Sequence, residues 1–349
     1  MSELQTNIAA VLHKIGDLRI EEIPVPTPKP NQVLIKVHTV GICGSDVHYW
    51  THGEIGPFVV RQPMIVGHET SGTVIQLGSD VTNLNVGDRV ALEPGLPCKD
   101  CDICKNGRYN LCAKMRFFAT PPVDGTLARY IAHDADFCFK LPDSVSFEEG
   151  ALIEPLSVAI HASNRGNVKM GDRILICGAG PIGILNVLAA KAAGAIAIAV
   201  TDIDDGRLAL AQKVGATITV NVRNKSPEDV KSAILSGLRG EPNSSIECTG
   251  VQSSIALAIS TTKSGGIVVL IGLGESVIQF PIVEAATREV DIRGIFRYVN
   301  TWPKALELIG SGRIDLSCIT RAHYKLEETV EAFKRTQKGD VIKVFIQCE

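Results

Sequence analysis

The chain has 349 residues, more than one hydrophobic core usually holds, and this length predicts two domains. Hydrophobic residues make up 45% of the chain and charged residues 21%, the balance of an ordinary globular protein. The formal net charge of -3 gives no electrostatic reason to expect nucleic acid or an anionic membrane as a partner.

The N-terminus and the cysteines indicate a compartment. The sequence MSELQTNIAAVLHK has an early acidic residue and no long apolar run, so we expect no secretory signal. Ten cysteines are present, and four of them lie between Cys98 and Cys112. Clustered cysteines in a reducing compartment favour metal binding over disulfides. We therefore expect a cytoplasmic protein.

Short alternating runs in the first 95 residues predict β-strands. The clearest runs cover residues 32–37 and 72–77. Four prolines at alternate positions from Pro24 to Pro30 predict an extended connection, because proline at this density cannot continue a helix. A small β-barrel or sandwich is the expected architecture of this part.

From about Gly171 the pattern changes to alternating strands and helices, which predicts a doubly wound parallel sheet. The expected strands cover residues 173–177, 196–201, 217–220, 245–248 and 267–271, and helices lie between them. Residues 174–200 are apolar enough to suggest a membrane span, but Pro181 and Lys191 interrupt them and exclude it. A helix over 302–310 and the segments after it are expected to pack on the first domain.

A glycine pattern follows the first of these strands and opens a helix. Gly178, Gly180 and Gly183 form GxGxxG, whose turn brings backbone amides to the pyrophosphate of a dinucleotide. Asp202 ends the next strand, where a carboxylate accepts hydrogen bonds from the adenosine ribose and repels a 2′-phosphate, so NAD is favoured over NADP. The alternative is an ordinary strand–helix turn with a surface aspartate. Arg207 either stacks on adenine or faces solvent.

Four cysteines predict a structural zinc site. Cys98, Cys101, Cys104 and Cys112 lie within 15 residues, and two-residue spacings let short loops turn back around one ion. Four protein ligands leave no open coordination position, so such a site is structural. The alternative is a thiol redox switch.

A second set of ligand types is dispersed along the chain. Cys43, His68, Glu69 and Glu154 include a thiol, an imidazole and two carboxylates, which with water suit a catalytic zinc. Each residue also has an ordinary interpretation: Cys43 as a small buried hydrophobe, His68 as a satisfied histidine and Glu154 as a helix cap. Spacing alone leaves these alternatives open.

Together these motifs resemble the medium-chain zinc-dependent alcohol dehydrogenase superfamily. The matching signature is Gly67-His68-Glu69-x2-Gly72-x5-Gly78-x2-Val81, and the four-cysteine lobe, the GxGxxG and the domain order agree with it. Within the superfamily the chain is similar to the polyol branch, the sorbitol and xylitol dehydrogenases. Four stretches carry that similarity: residues 41–49, 119–127, 154–161 and 295–298.

The resemblance implies an α/β protein with a GroES-like β-barrel catalytic domain, residues 1–156 and 297–349, and a Rossmann NAD-binding domain, residues 157–296. It assigns catalytic-zinc ligands at Cys43, His68, Glu69 and Glu154, with Glu154 binding directly or through water and Glu69 lying outside the metal shell in some branches. Substrate contacts are implied at Tyr49, Phe117, Thr120, Glu154, Arg297 and Tyr298. NAD contacts are implied at Gly178, Gly180, Ile182, Gly183, Asp202, Arg207, Ile271, Gly272, Leu273, Phe296 and Arg297.

The implied reaction is oxidation of a polyol such as sorbitol, L-iditol or xylitol at its 2-position, with hydride transfer to NAD and a ketose such as fructose as product. Ser45, His48 and Glu154 are the implied catalytic residues: a proton leaves through Ser45 and then His48, or through a water on Glu154. All four lobe cysteines are present, although mammalian sorbitol dehydrogenases lack them, so we expect two zinc ions per chain.

The implied assembly is a homodimer or homotetramer, with no nucleic-acid or membrane partner. Two alternatives remain. One is an enzyme of the same fold that acts on threonine or butanediol. The other is a non-catalytic, crystallin-like protein that binds zinc and nucleotide.

Overall fold

The structure is a computed structural model that describes residues 4–349, so the first three residues of the predicted catalytic domain lie outside it. The chain divides into two compact units. The first contains residues up to Glu154 together with Trp302–Gly310 and Thr320–Glu349, and the second contains Pro155–Thr301 and Ser311–Ile319. Residues 155–156, 297–301 and 311–319, which the sequence assigns to the catalytic domain, therefore group with the second unit.

Short strands dominate the first part of the chain, and strands alternate with helices after about residue 170. The strands, in chain order, are β1 (Ile8–Lys14), β2 (Asp17–Glu22), β3 (Gln32–Gly41), β4 (Glu54–Ile55), β5 (Phe58–Val59), β6 (Met64–Ile65), β7 (Glu69–Leu77), β8 (Arg89–Leu92), β9 (Gly95–Leu96), β10 (Arg116–Phe117), β11 (Tyr130–Asp134), β12 (Cys138–Lys140), β13 (Arg173–Cys177), β14 (Ala197–Asp202), β15 (Ile218–Asn221), β16 (Ser244–Glu247), β17 (Ile267–Leu270), β18 (Asp291–Gly294), β19 (Arg321–Lys325) and β20 (Lys343–Gln347). The helices are α1 (Gly44–His52), α2 (Asp102–Lys105), α3 (Phe147–Ala151), α4 (Ile153–Arg165), α5 (Pro181–Ala192), α6 (Asp205–Val214), α7 (Pro227–Leu238), α8 (Gln252–Thr261), α9 (Ile282–Thr287), α10 (Trp302–Gly310) and α11 (Thr329–Lys338).

The first unit is built on a mainly antiparallel sheet of seven strands. Its order is β12-β8-β7-β3-β20-β19, and β11 also pairs with β3. A three-stranded sheet, β2-β1-β6, adds to it. Inward-facing side chains of these strands, including Val33, Ile35, Val74 and Ile346, form one fully buried core. Burial of such aliphatic side chains contributes about 1.5–3 kcal/mol each relative to exposure.

The second unit contains a parallel six-stranded sheet of order β15-β14-β13-β16-β17-β18. Numbered from its own first strand, this is the order 3-2-1-4-5-6 of a doubly wound nucleotide-binding sheet, with its topological switch point between β13 and β16. The strand residues Leu175, Ala199 and Val268 and the helix residues Ile234 and Ile259 share one buried core.

The stretch 174–200, whose composition suggests a membrane span, is divided among β13, α5 and β14. Among residues 4–349, no helix combines the length and the apolar character that crossing a membrane would require.

Candidate active site, structural metal site and nucleotide cleft

The first unit brings together three of the four residues predicted to bind a catalytic zinc. Cys43 lies between β3 and α1, His68 directly precedes β7, and Glu69 begins β7. One ligand atom from each residue lies within 4.8 Å of the others. His68 and Glu69 are buried and Cys43 is half-buried. A thiol, an imidazole and a carboxylate at this spacing fit zinc, which accepts sulfur, nitrogen and oxygen ligands.

Asp46 orients the imidazole of His68. Its Oδ1 lies 3.4 Å from Nδ1 of His68 and accepts a hydrogen bond from the backbone amide of Gly67 at 2.9 Å. Its Oδ2 accepts from the amide of Cys43 at 3.1 Å. Burial opposes ionisation of Asp46, but His68 and the two amides hold the pKa of its carboxyl below its usual range. Asp46 thus fixes two predicted ligands, and a carboxylate behind a metal-binding histidine strengthens metal binding.

A buried ion pair joins Glu69 to Lys343. The ammonium group of Lys343, at the start of β20, contacts Oε2 of Glu69, and both side chains are buried. Burial opposes protonation of Lys343, but the charges of Glu69, Cys43 and Glu154 keep its pKa above its usual value. Gly41 makes room for the pair, because a Cβ there would overlap the Glu69 carboxylate and lie 2.8 Å from Cε of Lys343. Lys343 is not among the residues predicted from the sequence, because no local pattern signals it.

Glu154 lies near the start of α4, and only 5% of its surface is exposed. Its charge acts on two neighbours: it raises the pKa of Lys343 and that of Glu93. Burial is the main reason that the pKa of Glu93 rises to about 7, and a hydrogen bond of 2.7 Å from Tyr109 opposes the rise. The carboxylate of Glu154 therefore contributes to the electrostatics of Lys343, the partner of Glu69.

The other predicted catalytic and substrate residues of the first unit lie on α1 and near β10. Ser45 is half-buried and His48 is exposed on α1. The imidazole of His48 stacks on that of His52 at 4.3 Å between ring centres. Tyr49 and Phe117 are buried, and the ring centres of Phe117 and His68 are 5.9 Å apart. Thr120 is half-buried shortly after β10, where its amide donates to the Phe117 carbonyl at 3.1 Å.

The four lobe cysteines lie together around a point suited to one metal ion. The Sγ atoms of Cys98 and Cys104 are 3.9 Å apart, those of Cys101 and Cys104 3.5 Å, and those of Cys101 and Cys112 4.0 Å. Tetrahedral zinc–sulfur bonds of about 2.3 Å require sulfur separations of about 3.8 Å. All four ligand atoms lie within 4.8 Å of one another. The lobe therefore fits a closed, structural zinc site.

The second unit contains the predicted nucleotide site. A cavity of about 360 Å³ is lined by Gly178, Asp202, Arg207, Lys225 and Leu257, among others. Oδ2 of Asp202 accepts a hydrogen bond from the Ala179 amide at 2.7 Å, which ties the aspartate to the glycine turn. A Cβ on Gly183 would overlap the Gly178 carbonyl, so helix α5 can approach the turn only with glycine at this position.

The remaining predicted cofactor and substrate residues also belong to the second unit. Gly180 precedes α5 and Ile182 is half-buried on it. Ile271 and Gly272 donate their amides to the Glu247 carbonyl at 2.9 and 3.1 Å, while Leu273 is 77% exposed. Two further predicted residues follow β18: the guanidinium of Arg297 lies 4.6 Å from the centre of the Phe296 ring, and Tyr298 is buried.

These sites define a zinc-dependent dehydrogenase. Residues 29–143 match the alcohol dehydrogenase GroES-like domain family, and residues 181–311 match the zinc-binding dehydrogenase family. These matches, together with similarity to solved dehydrogenase structures, confirm the predicted fold class, a GroES-like catalytic domain with a Rossmann domain.

Known relatives make the assignment more specific. The chain is 52% identical to sorbitol dehydrogenase from Gallus gallus over 349 residues, which cover 100% of this chain and 98% of that protein. It is 52% identical to the Bos taurus enzyme of the same name over 343 residues, 98% of this chain and 96% of that one. An oxidoreductase of unknown specificity from Escherichia coli has a crystal structure similar to this one, with a TM-score of 0.92, 36% identity and coverage of 98% of this chain and 99% of that chain.

The chain therefore belongs to the medium-chain zinc-dependent alcohol dehydrogenase family, in its polyol branch. Family membership confirms the predicted enzyme class and the predicted cofactors, NAD and zinc.

Proposed function

We propose that this protein oxidises the 2-hydroxyl of a polyol such as sorbitol, L-iditol or xylitol to a ketose and passes the hydride to NAD. The observation that carries this proposal is the 52% identity, over the whole chain, to proteins named sorbitol dehydrogenase. Residues 1–156 and 297–349 supply the catalytic domain in this proposal, and residues 157–296 bind NAD.

Cys43, His68 and Glu69 hold the catalytic zinc in this mechanism, and Glu154 contributes directly or through water. Zinc bound there supplies a Lewis acid that makes a substrate hydroxyl more acidic. Asp46 lies 3.4 Å from Nδ1 of His68, so in this proposal the other ring nitrogen, Nε2, binds the metal. Lys343 neutralises one charge of an otherwise anionic ligand set and leaves the second oxygen of Glu69 available.

Ser45 and His48 form the proton path. They are three residues apart on α1, and this spacing places them on one face of the helix. Ser45 is half-buried and His48 is exposed, so a proton accepted by the serine hydroxyl passes outward to the imidazole and then to solvent. A water held by Glu154 is the competing route.

Substrate recognition in this proposal uses Tyr49, Phe117, Thr120, Glu154, Arg297 and Tyr298. Phe117 lies beside His68 and supplies an apolar wall, and the guanidinium of Arg297 offers several fixed donors to vicinal hydroxyls. Donors left unpaired by a simple alcohol would cost binding energy, and we therefore expect strong discrimination against such alcohols.

We propose a cytoplasmic homodimer or homotetramer. All ten cysteines are free of disulfides, as a reducing compartment favours. Leu273, Val277 and Val283 are 77%, 83% and 71% exposed, and exposed apolar side chains suit contact with a second copy. Sedimentation velocity tests the assembly: Val277→Glu is expected to shift the protein toward smaller species, and an unchanged sedimentation coefficient would contradict this surface.

The experiment that tests the function is NADH formation by the purified enzyme with sorbitol, xylitol, threonine, butanediol and 2-propanol. We expect the highest kcat/KM with a polyol. Arg297→Ala is expected to lower kcat/KM for sorbitol far more than for 2-propanol. Faster turnover of threonine or butanediol than of both polyols would support the same fold with another substrate, and no turnover of any alcohol would support the non-catalytic alternative.

A further inference from the structure

A buried carboxylate without a cationic partner lies beneath the nucleotide cleft. Glu247 ends β16 and is fully buried. In the part of the chain that the structure describes, residues 4–349, no lysine, arginine or histidine forms an ion pair with it. A buried charge is costly unless other polar groups compensate it, so its partners matter.

Those partners come from the seven residues that follow it. Oε1 of Glu247 accepts hydrogen bonds from the amide of Thr249 at 2.8 Å, from the hydroxyl of Thr249 at 2.5 Å and from the hydroxyl of Ser254 at 2.9 Å. Oε2 accepts from the amide of Gly250 at 2.9 Å. The Thr249 hydroxyl in turn accepts from the amide of Val251 at 3.0 Å. One carboxylate thus fixes the turn between β16 and α8.

This turn forms one wall of the nucleotide cleft. Thr249, Val251 and Ser254 all line the cavity that also contains Gly178 and Asp202. A Cβ on Gly178 would lie 2.8 Å from Cγ2 of Thr249, so Thr249 packs directly against the first glycine of the GxGxxG turn.

The same turn contacts a second predicted cofactor segment. Gly250 has a φ of 73°, and a Cβ there would lie 2.6 Å from the amide nitrogen of Gly274. A Cβ on Gly272 would lie 2.5 Å from the carbonyl carbon of Thr249. Residues 249–250 are therefore packed between the glycine turn after β13 and the segment after β17, and a shift of one would displace the others.

We propose that Glu247 is a positioning residue for NAD: its carboxylate holds residues 249–254 so that the glycine turn and residues 271–274 keep the shape of the nucleotide cleft. This inference rests on the NAD-linked function. A carboxylate suits the position because each of its four hydrogen-bond partners is a donor, and glutamine would turn an amide N–H toward one of them. Mispaired buried groups are costly, and the cost falls on the conformation that binds the nucleotide.

The test compares NADH binding by the zinc-loaded wild type and by Glu247→Gln, followed by fluorescence. We expect the Kd for NADH and the KM for NAD to rise about tenfold, with little change in kcat or in the KM for sorbitol. Ser260→Ala is the matched control: Ser260 is a half-buried serine of the same helix whose hydroxyl donates to the Leu257 carbonyl, and NADH binding should be unchanged.

Thr249→Val and Thr249→Ser keep the test decisive if Glu247→Gln folds poorly. Valine keeps the shape of threonine and removes its hydroxyl, so the Thr249→Val variant should bind NADH more weakly. Serine keeps the hydroxyl, so the Thr249→Ser variant should bind NADH with nearly the affinity of the wild type. A lower unfolding midpoint with unchanged NADH affinity in Glu247→Gln and Thr249→Val would overturn the inference and leave the enzyme's function intact. A wild type that does not bind NADH would overturn both.

Discussion

Lys343 and Glu69 form an ion pair inside the first unit, with 4% and 1% of their side chains exposed. Glu69 begins β7 and Lys343 begins β20, and both strands pair with β3, whose Gly41 lies between them. Breaking a buried pair from one side leaves an uncompensated charge, which is a larger effect than loss of a surface pair. The pair therefore affects both the stability of the fold and the charge at the metal site.

Replacing Lys343 by Met is expected to lower the free energy of unfolding by about 3–5 kcal/mol, because Oε2 of Glu69 would remain buried without the ammonium group that it contacts. Chemical denaturation of the zinc-loaded protein measures this change. Lys343→Arg keeps the positive charge and should lower the free energy of unfolding by less. Lys36→Met is the matched control, since the ammonium group of Lys36 on β3 makes only a partly exposed contact of 3.6 Å with Glu349. An equal, small effect of Lys343→Met and Lys36→Met would show that the buried pair contributes little.

Two zinc ions per chain are expected in the wild type, and Cys101→Ser should remove only the one in the lobe. The remaining three thiols cannot complete a tetrahedral sulfur site, and metal binding free energy in such a lobe is folding free energy. Metal analysis and thermal unfolding measure the two effects. Cys318→Ser changes a cysteine outside both clusters and should retain two zinc ions. A well-folded wild type with a single zinc would contradict the two-site prediction.

The acidic limb of the plot of log kcat for oxidation against pH should depend on the surroundings of His48. The pKa of His48 lies below its usual value: partial desolvation of the imidazole and the nearby imidazole of His52 lower it, and Glu54 opposes them. The neutral form accepts the proton, so a lowered pKa extends activity to lower pH. His52→Gln removes a repelling charge, raises the pKa of His48 and should move the limb to higher pH.

Glu54→Gln should shift the acidic limb in the opposite direction to His52→Gln. Loss of this carboxylate lowers the pKa of His48 further and should move the limb of log kcat against pH to lower values. His48→Ala should reduce the rate near neutrality and be partly rescued by an external base. If neither His52→Gln nor Glu54→Gln displaces the limb, the proton leaves by the water on Glu154 instead.

Asp202→Ala should raise the KM for NAD and narrow the preference for NAD over NADP. The carboxylate repels a 2′-phosphate, and it also accepts hydrogen bonds from the amides of Ala179, Ile203 and Asp204 at 2.7, 2.8 and 3.0 Å. The ratio of kcat/KM for the two cofactors measures the effect. Asp205→Ala alters an exposed aspartate that is not among the cavity residues and should leave the ratio unchanged. A wild type that uses both cofactors equally would remove this role from Asp202.

Much of the second unit could be predicted from sequence because its signals are local. The predicted strand 173–177 has the same limits as β13, and the predicted strand 267–271 exceeds β17 by one residue. Hydrophobic periodicity, glycine turns and proline at the start of a helix act over a few residues, and nearest neighbours determine them. The four-cysteine lobe was equally predictable, since its members lie within 15 residues.

The partners of the predicted site residues depended on tertiary structure. Asp46 lies only three residues after Cys43 in the sequence, but its contact with His68 forms only because α1 lies close to the start of β7. Lys343 reaches Glu69 only because β20 pairs with β3 near the other end of the chain. The hydrogen bonds of Glu247 are local in sequence, yet a glutamate followed by threonine and serine usually lies on a surface, and only its burial beneath the cleft reveals its role.

The sequence by itself therefore determined the order of elements, the four-cysteine lobe and the dinucleotide turn, because each rests on residue type and short spacing. The dispersed set of Cys43, His68, Glu69 and Glu154 could be assigned only through the family resemblance. Tertiary structure decided which charges compensate one another: Lys343 with Glu69, Asp46 with His68, and backbone and hydroxyl donors with Glu247. The physical reason is that burial makes a charge costly unless a partner lies within hydrogen-bonding distance. Strand pairing and close packing at glycines bring those partners into place, and sequence separation does not reveal them.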